Sequence, residues 1–113
     1  MQFMMSMYEP AEDFARRMGD GDYWPAWAAY SAALREAGVL VGGNALKAPE
    51  TATRVRLDDG RARIEDGPFA EGREQLGGYY IIEVPTLDEA LAWAARAPCA
   101  ATGGVEVRPV LDM

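Results

Sequence analysis

The chain contains no histidine and only one cysteine. Without histidine there is no Ser–His or Cys–His pair to activate a nucleophile, and the commonest metal ligand is missing. Ser6 and Ser31 therefore have no base, and no carboxylate spacing suggests a dedicated metal cage, so neither a metal site nor a cofactor is expected. Cys99 has no partner for an internal disulfide, which makes a reducing compartment the default. A basic excess is also lacking: 11 Lys and Arg stand against 18 Asp and Glu, for a net charge of −7. That balance argues against nucleic acid as a partner, which would call for a basic patch or stripe. No window approaches the roughly 20 apolar residues that cross a bilayer. Residues 1–8 are apolar but carry neither a basic leader nor a small-residue cleavage site, so they do not form a signal peptide. The expectation is a cytoplasmic, soluble protein with no membrane contact. Gly42-Gly43 lacks the Lys-Ser/Thr of a phosphate loop.

What is present is a globular composition, half apolar, in 113 residues, enough for one domain spanning 1–113. Phe3, Met5 and Met7 alternate with Gln2, Met4, Ser6 and Tyr8, which predicts a strand with one apolar face. Glu9 to Gly21 reads as a loop with a turn or two of helix over 11–18. Asp22 is placed to cap a helix whose first turn takes Pro25, whose buried stripe is Trp27, Tyr30, Leu34 and Ala37, and which stops at Gly38. Val39 to Val41 begins a short strand with a bulge or loop at Gly42-Gly43-Asn44. Thr53, Val55 and Leu57 alternate with Arg54 and Arg56, Asp58-Asp59-Gly60 turns the chain, and Arg61 to Glu65 alternates back, predicting a hairpin. Gly78 to Val84 is apolar on both faces and reads as a central strand. Thr86-Leu87-Asp88-Glu89 is a capping box that opens a helix ended by Pro98. Val105, Val107 and Pro109 close the chain as a strand at an edge or an interface, since Pro109 cannot donate to a ladder.

With the hairpin set aside, the order is βαββαβ: an α+β, ferredoxin-like sheet with two helices on one face. The other face is left partly apolar. In a small domain a second copy of the chain normally covers such a face, so a homodimer packed sheet to sheet is expected, with residues 105–110 at the contact.

The candidate site is Asp66. It shares strand parity with Ala62 and Ile64, so its carboxylate lies in line with apolar residues, and Gly67, Pro68 and Phe69 end the strand abruptly. Read functionally, Asp66 is an acid or base whose pKa is raised by partial burial, with Tyr8, Tyr80 and Arg73 orienting a small-molecule ligand. Read structurally, it accepts hydrogen bonds from the amides of its own turn.

The run Asp66-Gly67-Pro68-Phe69-Ala70-Glu71, followed by Glu74-Gln75-Leu76-Gly77-Gly78-Tyr79-Tyr80, resembles the signature of the YCII-related (DGPF-domain) family. Further similarity lies in Ala37-Gly38-Val39-Leu40 with Gly42-Gly43, in Leu87-Asp88-Glu89-Ala90, and in Val105-Glu106-Val107-Arg108-Pro109-Val110. The resemblance covers nearly the whole chain and implies a dimeric α+β barrel. Some relatives pair a histidine with the aspartate matching Asp66, which has led to their being regarded as enzymes. That pairing is excluded here, and only Asp66, with Gly67, Pro68 and Phe69 shaping its turn, carries over. Two functions stay open: a cofactor-independent acid/base enzyme of isomerase or lyase type, and a non-catalytic ligand-binding or regulatory module in which Asp66 is mainly structural.

Overall fold

The computed structural model describes residues 1–69 and 72–113; Ala70 and Glu71 of the Asp66 motif lie outside the described residues. The chain opens with β1, Gln2–Pro10, on which Phe3, Met5 and Met7 are buried in the alternation the sequence predicts. A short helix, α1 (Ala11–Arg16), follows directly, and α2 spans Tyr23–Glu36. Strand β2 is Leu40–Ala45, the hairpin is β3 (Thr53–Asp58) and β4 (Arg61–Asp66), and β5 is Glu74–Glu83. Helix α3 (Leu87–Ala94) and β6 (Gly104–Pro109) complete the fold.

Among the described residues two sheets result: a four-stranded one in the order β2-β5-β1-β6, and the separate β3-β4 hairpin, with their strands paired antiparallel. Placing β5 between β1 and β2 makes the split βαβ arrangement of the ferredoxin-like fold, with β5 central as its apolar run predicts. Pro109 lies on β6, an edge strand, where its missing donor leaves no gap in a ladder. The irregularity in β2 falls between Leu40 and Gly42, just before the Gly42-Gly43-Asn44 stretch where a bulge or loop is expected; those three residues pair with β5 in regular register.

Phe3, Met5, Met7 and Ile82 of the sheet pack against Tyr30 and Leu34 of α2 and Ala90 and Ala94 of α3. Each large apolar side chain buried in this way contributes roughly 1.5–3 kcal/mol. Cys99 belongs to the same core, with its sulfur 3.8 Å from that of Met7. Burial pushes its thiol up to about 12, so it is packing material and not a nucleophile.

The helix starts differ from expectation at one point. Asp22 occupies the N-cap position of α2 but is helical in backbone and makes no side-chain cap. Asp20 turns the chain instead, its Oδ1 accepting from the Asp22 amide at 2.9 Å, a local bond that short acidic side chains form readily. At α3 one bond of the capping box is made, from the Glu89 amide to Thr86 Oγ1 at 3.2 Å.

Candidate active site

β1 runs one residue pair past its alternating apolar stretch. Phe3, Met5, Met7 and Glu9 share one parity, and Glu9 follows the others into the interior, where only 3% of it is exposed. A carboxylate removed from water requires partners. The Tyr23 hydroxyl, at the start of α2, donates to both of its oxygens, at 2.8 and 2.7 Å. The Arg17 guanidinium lies 3.5 Å from Glu9 Oε1.

Arg17 is held in turn. Its Nη1 donates to the Leu46 carbonyl at 2.5 Å, Nη2 to the Gly77 carbonyl at 3.2 Å, and Nε to the Tyr23 hydroxyl at 3.4 Å. The guanidinium also lies 4.7 Å from the Phe14 ring centre and 5.2 Å from that of Trp24. One side chain thus joins the α1–α2 connection to the ends of β2 and β5.

The register of β1 on β5 slips between Met7 and Tyr8, leaving Gly77 as the extra residue. A side chain at Gly77 would put its Cβ 2.6 Å from Glu9 Oε1. Glycine is needed there because the carboxylate occupies that space. The Gly77 of the family-like motif therefore serves Glu9, far along the chain from Asp66.

Beside Glu9 is a cavity of about 130 Å³ between α2 and the sheet. Met7, Arg17, Tyr23, Trp24, Trp27 and Tyr80 contribute to its lining, as do residues 43–45 and 77–79 of β2 and β5. Trp27 and Tyr80 are nearly parallel, 6.5 Å apart between ring centres, and the Tyr80 hydroxyl is 2.5 Å from Ser31 Oγ. Burial, reinforced by the neighbouring Glu9 carboxylate, pushes the Tyr23 phenol up to about 12. Tyr23 therefore keeps its proton, and its donor role, throughout the ordinary pH range.

Of the four side chains proposed from sequence as the site, Asp66, Tyr8, Arg73 and Tyr80, Tyr80 alone lines this cavity. Tyr8 pairs with Leu76 beyond the bulge and borders a shallow groove with Leu46, Pro49 and Phe69. Arg73 is exposed just before β5. Asp66 ends β4 opposite Thr53 and is exposed in the single chain, away from the cavity that Tyr80 lines. β3 and β4 form their own sheet, and the row that Asp66 shares with Ile64 is open among the described residues. The motif turn braces the hairpin base. The Gly67 amide donates to the Ala52 carbonyl at 2.7 Å, a Cβ at Gly67 would meet that of Ala52 at 2.9 Å, and the Arg54 guanidinium lies 4.3 Å from the Phe69 ring centre. Among the described residues no group of three or more His, Cys, Asp or Glu is arranged to hold a metal ion, and no helix is long and apolar enough to cross a membrane.

Fold and site together define a ferredoxin-like α+β domain with a carboxylate–phenol–guanidinium cluster at a small aromatic cavity. The chain belongs to the YCII-related family, whose domain model matches residues 1–113. It is 46% identical over 78 residues to an uncharacterised protein of Rhizobium meliloti (strain 1021), a match covering 66% of this chain and 62% of that protein, so the chain spans less than two thirds of that relative's length. Among solved structures it is similar to the 5-chloro-2-hydroxyhydroquinone dehydrochlorinase of Burkholderia phenoliruptrix AC1100, solved with 2,5-dihydroxybenzoquinone. The TM-score is 0.58 at 17% identity, over 98% of this chain and 94% of the other, a likeness of fold.

Proposed function

We propose that the chain is a small-molecule enzyme of lyase or isomerase type that works by acid/base chemistry without a cofactor, with Glu9 as the proton acceptor. The observation that carries this reading is the Glu9 carboxylate, almost fully buried, fixed by Tyr23 and bordering a cavity with aromatic walls. In an elimination, Glu9 would take a proton from the substrate, the freed electron pair would form the new π bond, and the leaving group would depart with its own pair. Tyr23 and Arg17 position the carboxylate for this step, and proton acceptance by a positioned side chain contributes typically about 10²–10⁴-fold. The dehydrochlorinase of similar fold carries out an elimination of this general kind, which makes the reading chemically economical.

The test is turnover of a panel of halogenated and hydroxylated single-ring compounds. Under this reading at least one is converted, and Glu9→Gln lowers conversion by about 10²–10⁴-fold while the protein stays folded. Saturable binding by the wild type with no turnover of any member would favour the non-catalytic ligand-binding module instead. Asp66→Asn run in parallel tests the motif-centred alternative directly.

The working unit we propose is a homodimer packed through the sheet face opposite α2 and α3. In support, the chain is a slab of 47 × 42 × 20 Å. Its radius of gyration of 15.7 Å exceeds the roughly 13 Å of a compact domain of this length. Light scattering that returns a monomer at micromolar concentration would overturn this. A reducing cytoplasm suits the buried free thiol of Cys99.

A further inference from the structure

We propose that the Glu9 cavity selects neutral, ring-sized hydrogen-bond donors of the phenol or enol class and turns away both carboxylates and ammonium ions. This deepens, and rests on, the reading of the cavity as a small-molecule site.

Size sets the first limit. An apolar cavity of about 150 Å³ is known to take one benzene ring, and this one measures about 130 Å³. The nearly parallel rings of Trp27 and Tyr80 in the lining favour a planar occupant.

Charge sets the second. Glu9 and Arg17 are the charged side chains among the lining residues. An ionised carboxylate only accepts hydrogen bonds, and it has about four lone-pair sites. Tyr23 supplies one donor, shared between the two oxygens, so Glu9 retains capacity for a ligand that donates. An anionic ligand would need a cation with a free donor. Of the five N–H donors of Arg17, three go to Leu46, Gly77 and Tyr23, and Nη2 also faces Glu9 Oε1 at 3.5 Å, so most of the guanidinium is already engaged within the protein. A carboxylate entering here would face another acceptor across a desolvated gap, which is repulsive. A cationic ligand would gain from Glu9 and the rings but would meet the guanidinium 3.5 Å from that same carboxylate, whose charge is thereby already balanced. What fits is a neutral ring with a hydroxyl that donates to Glu9.

The experiment compares phenol, benzoate and benzylammonium, three probes of similar size and different charge, binding to the full-length wild type at pH 7.5 by calorimetry or ligand-observed NMR. Phenol is expected to bind about tenfold or more tightly than either ion, because a mispaired buried polar group is costly. In Glu9→Gln, whose side-chain amide can donate, the phenol advantage over benzoate should shrink or reverse. Benzoate or benzylammonium binding the wild type as tightly as phenol would overturn the inference while leaving the cavity standing as a ligand site. Binding of none of the three would remove both the inference and the site. The wild-type ranking decides the question even if Glu9→Gln fails to fold.

Discussion

Glu9 and Asp66 have the same local credentials and opposite environments. Each carboxylate lies near the end of a strand, in phase with apolar residues at a spacing of two: Phe3, Met5 and Met7 for one, Ala62 and Ile64 for the other. The first row lies under α2 and α3 and is buried. The second lies on a hairpin outside the main sheet, where Val55 is 61% exposed, Leu57 75% and Ile64 68%. Strand parity says which residues share a face. Only the rest of the fold says whether that face meets helices or water. An acid/base site needs both a phased carboxylate and a cover that removes it from solvent, and the body of the protein supplies the two together.

The largest expected effect tests that contrast on function. Glu9→Gln should lower turnover by about 10²–10⁴-fold, the range for loss of a positioned proton acceptor. Asp66→Asn should leave turnover near that of the wild type. The reverse ranking, measured as kcat/KM on any substrate found, would return the site to the hairpin and overturn the assignment of Glu9.

The next effect separates the regions by pH. Tyr23 ionises near 10 in an unfolded chain and at about 12 in the fold. Its folded-state pKa is raised, so its contribution is fully present below pH 10 and is lost as the pH rises toward 12, to a total on the order of 2 kcal/mol. Tyr30 and Cys99, also raised by burial, add to the same alkaline loss. In the hairpin, hydrogen bonding from Arg54 lowers the Glu65 pKa, a shift whose contribution would be lost at acid pH, but the pair is solvent-screened and of little weight. Denaturant titrations should therefore show stability falling steeply above pH 10, and Tyr23→Phe should remove about one proton from that slope. An unchanged slope in the variant would mean that Tyr23 is not sealed against Glu9.

Much of this fold could be read from the chain because its signals are local. The alternation of Phe3, Met5 and Met7, the stripe of Tyr30 and Leu34, the turn at Asp59-Gly60 and the half-made capping box at Thr86 each depend on neighbours within a few residues. The cluster at Glu9 depends on contacts that sequence spacing does not encode. Arg17 reaches carbonyls at Leu46 and Gly77, 29 and 60 positions away. Pro10 and the charged residues after it suggest a loop, which hides Glu9 from a reading that stops β1 at Tyr8. One signal was available: extending the parity of β1 by a single step places Glu9 in the buried row, by the argument that brought out Asp66.

A smaller effect checks the frame on which the comparison rests. Thr86→Ala removes the acceptor for the Glu89 amide and should cost on the order of 1 kcal/mol, read as a lower denaturation midpoint with an unchanged m value. An unaltered midpoint would show that water replaces the cap at no cost. Turnover should not change, because Thr86 lies outside the cavity lining.

The smallest effect belongs to the hairpin and is the most direct way to break the contrast. Val55 faces Ile64 and Leu57 faces Ala62 across the β3–β4 ladder, forming an apolar row that the rest of the chain leaves open. In a row exposed to water in both the folded and the unfolded state, replacing an apolar side chain by a polar one changes the folding free energy little, within about 0.5 kcal/mol. Ile64→Ser and Leu57→Ser should accordingly leave the midpoint nearly unmoved, and the double variant should do so too because no cavity is made. A loss beyond about 1 kcal/mol would mean that the row is covered in solution, since truncating buried apolar groups costs at least that much. Its dependence on protein concentration would then identify the cover: a loss that disappears on dilution points to a second copy, and one that persists points to the chain itself. In either case Asp66, in phase with Ile64, would lie at a covered surface, and the environment that now distinguishes it from Glu9 would no longer do so.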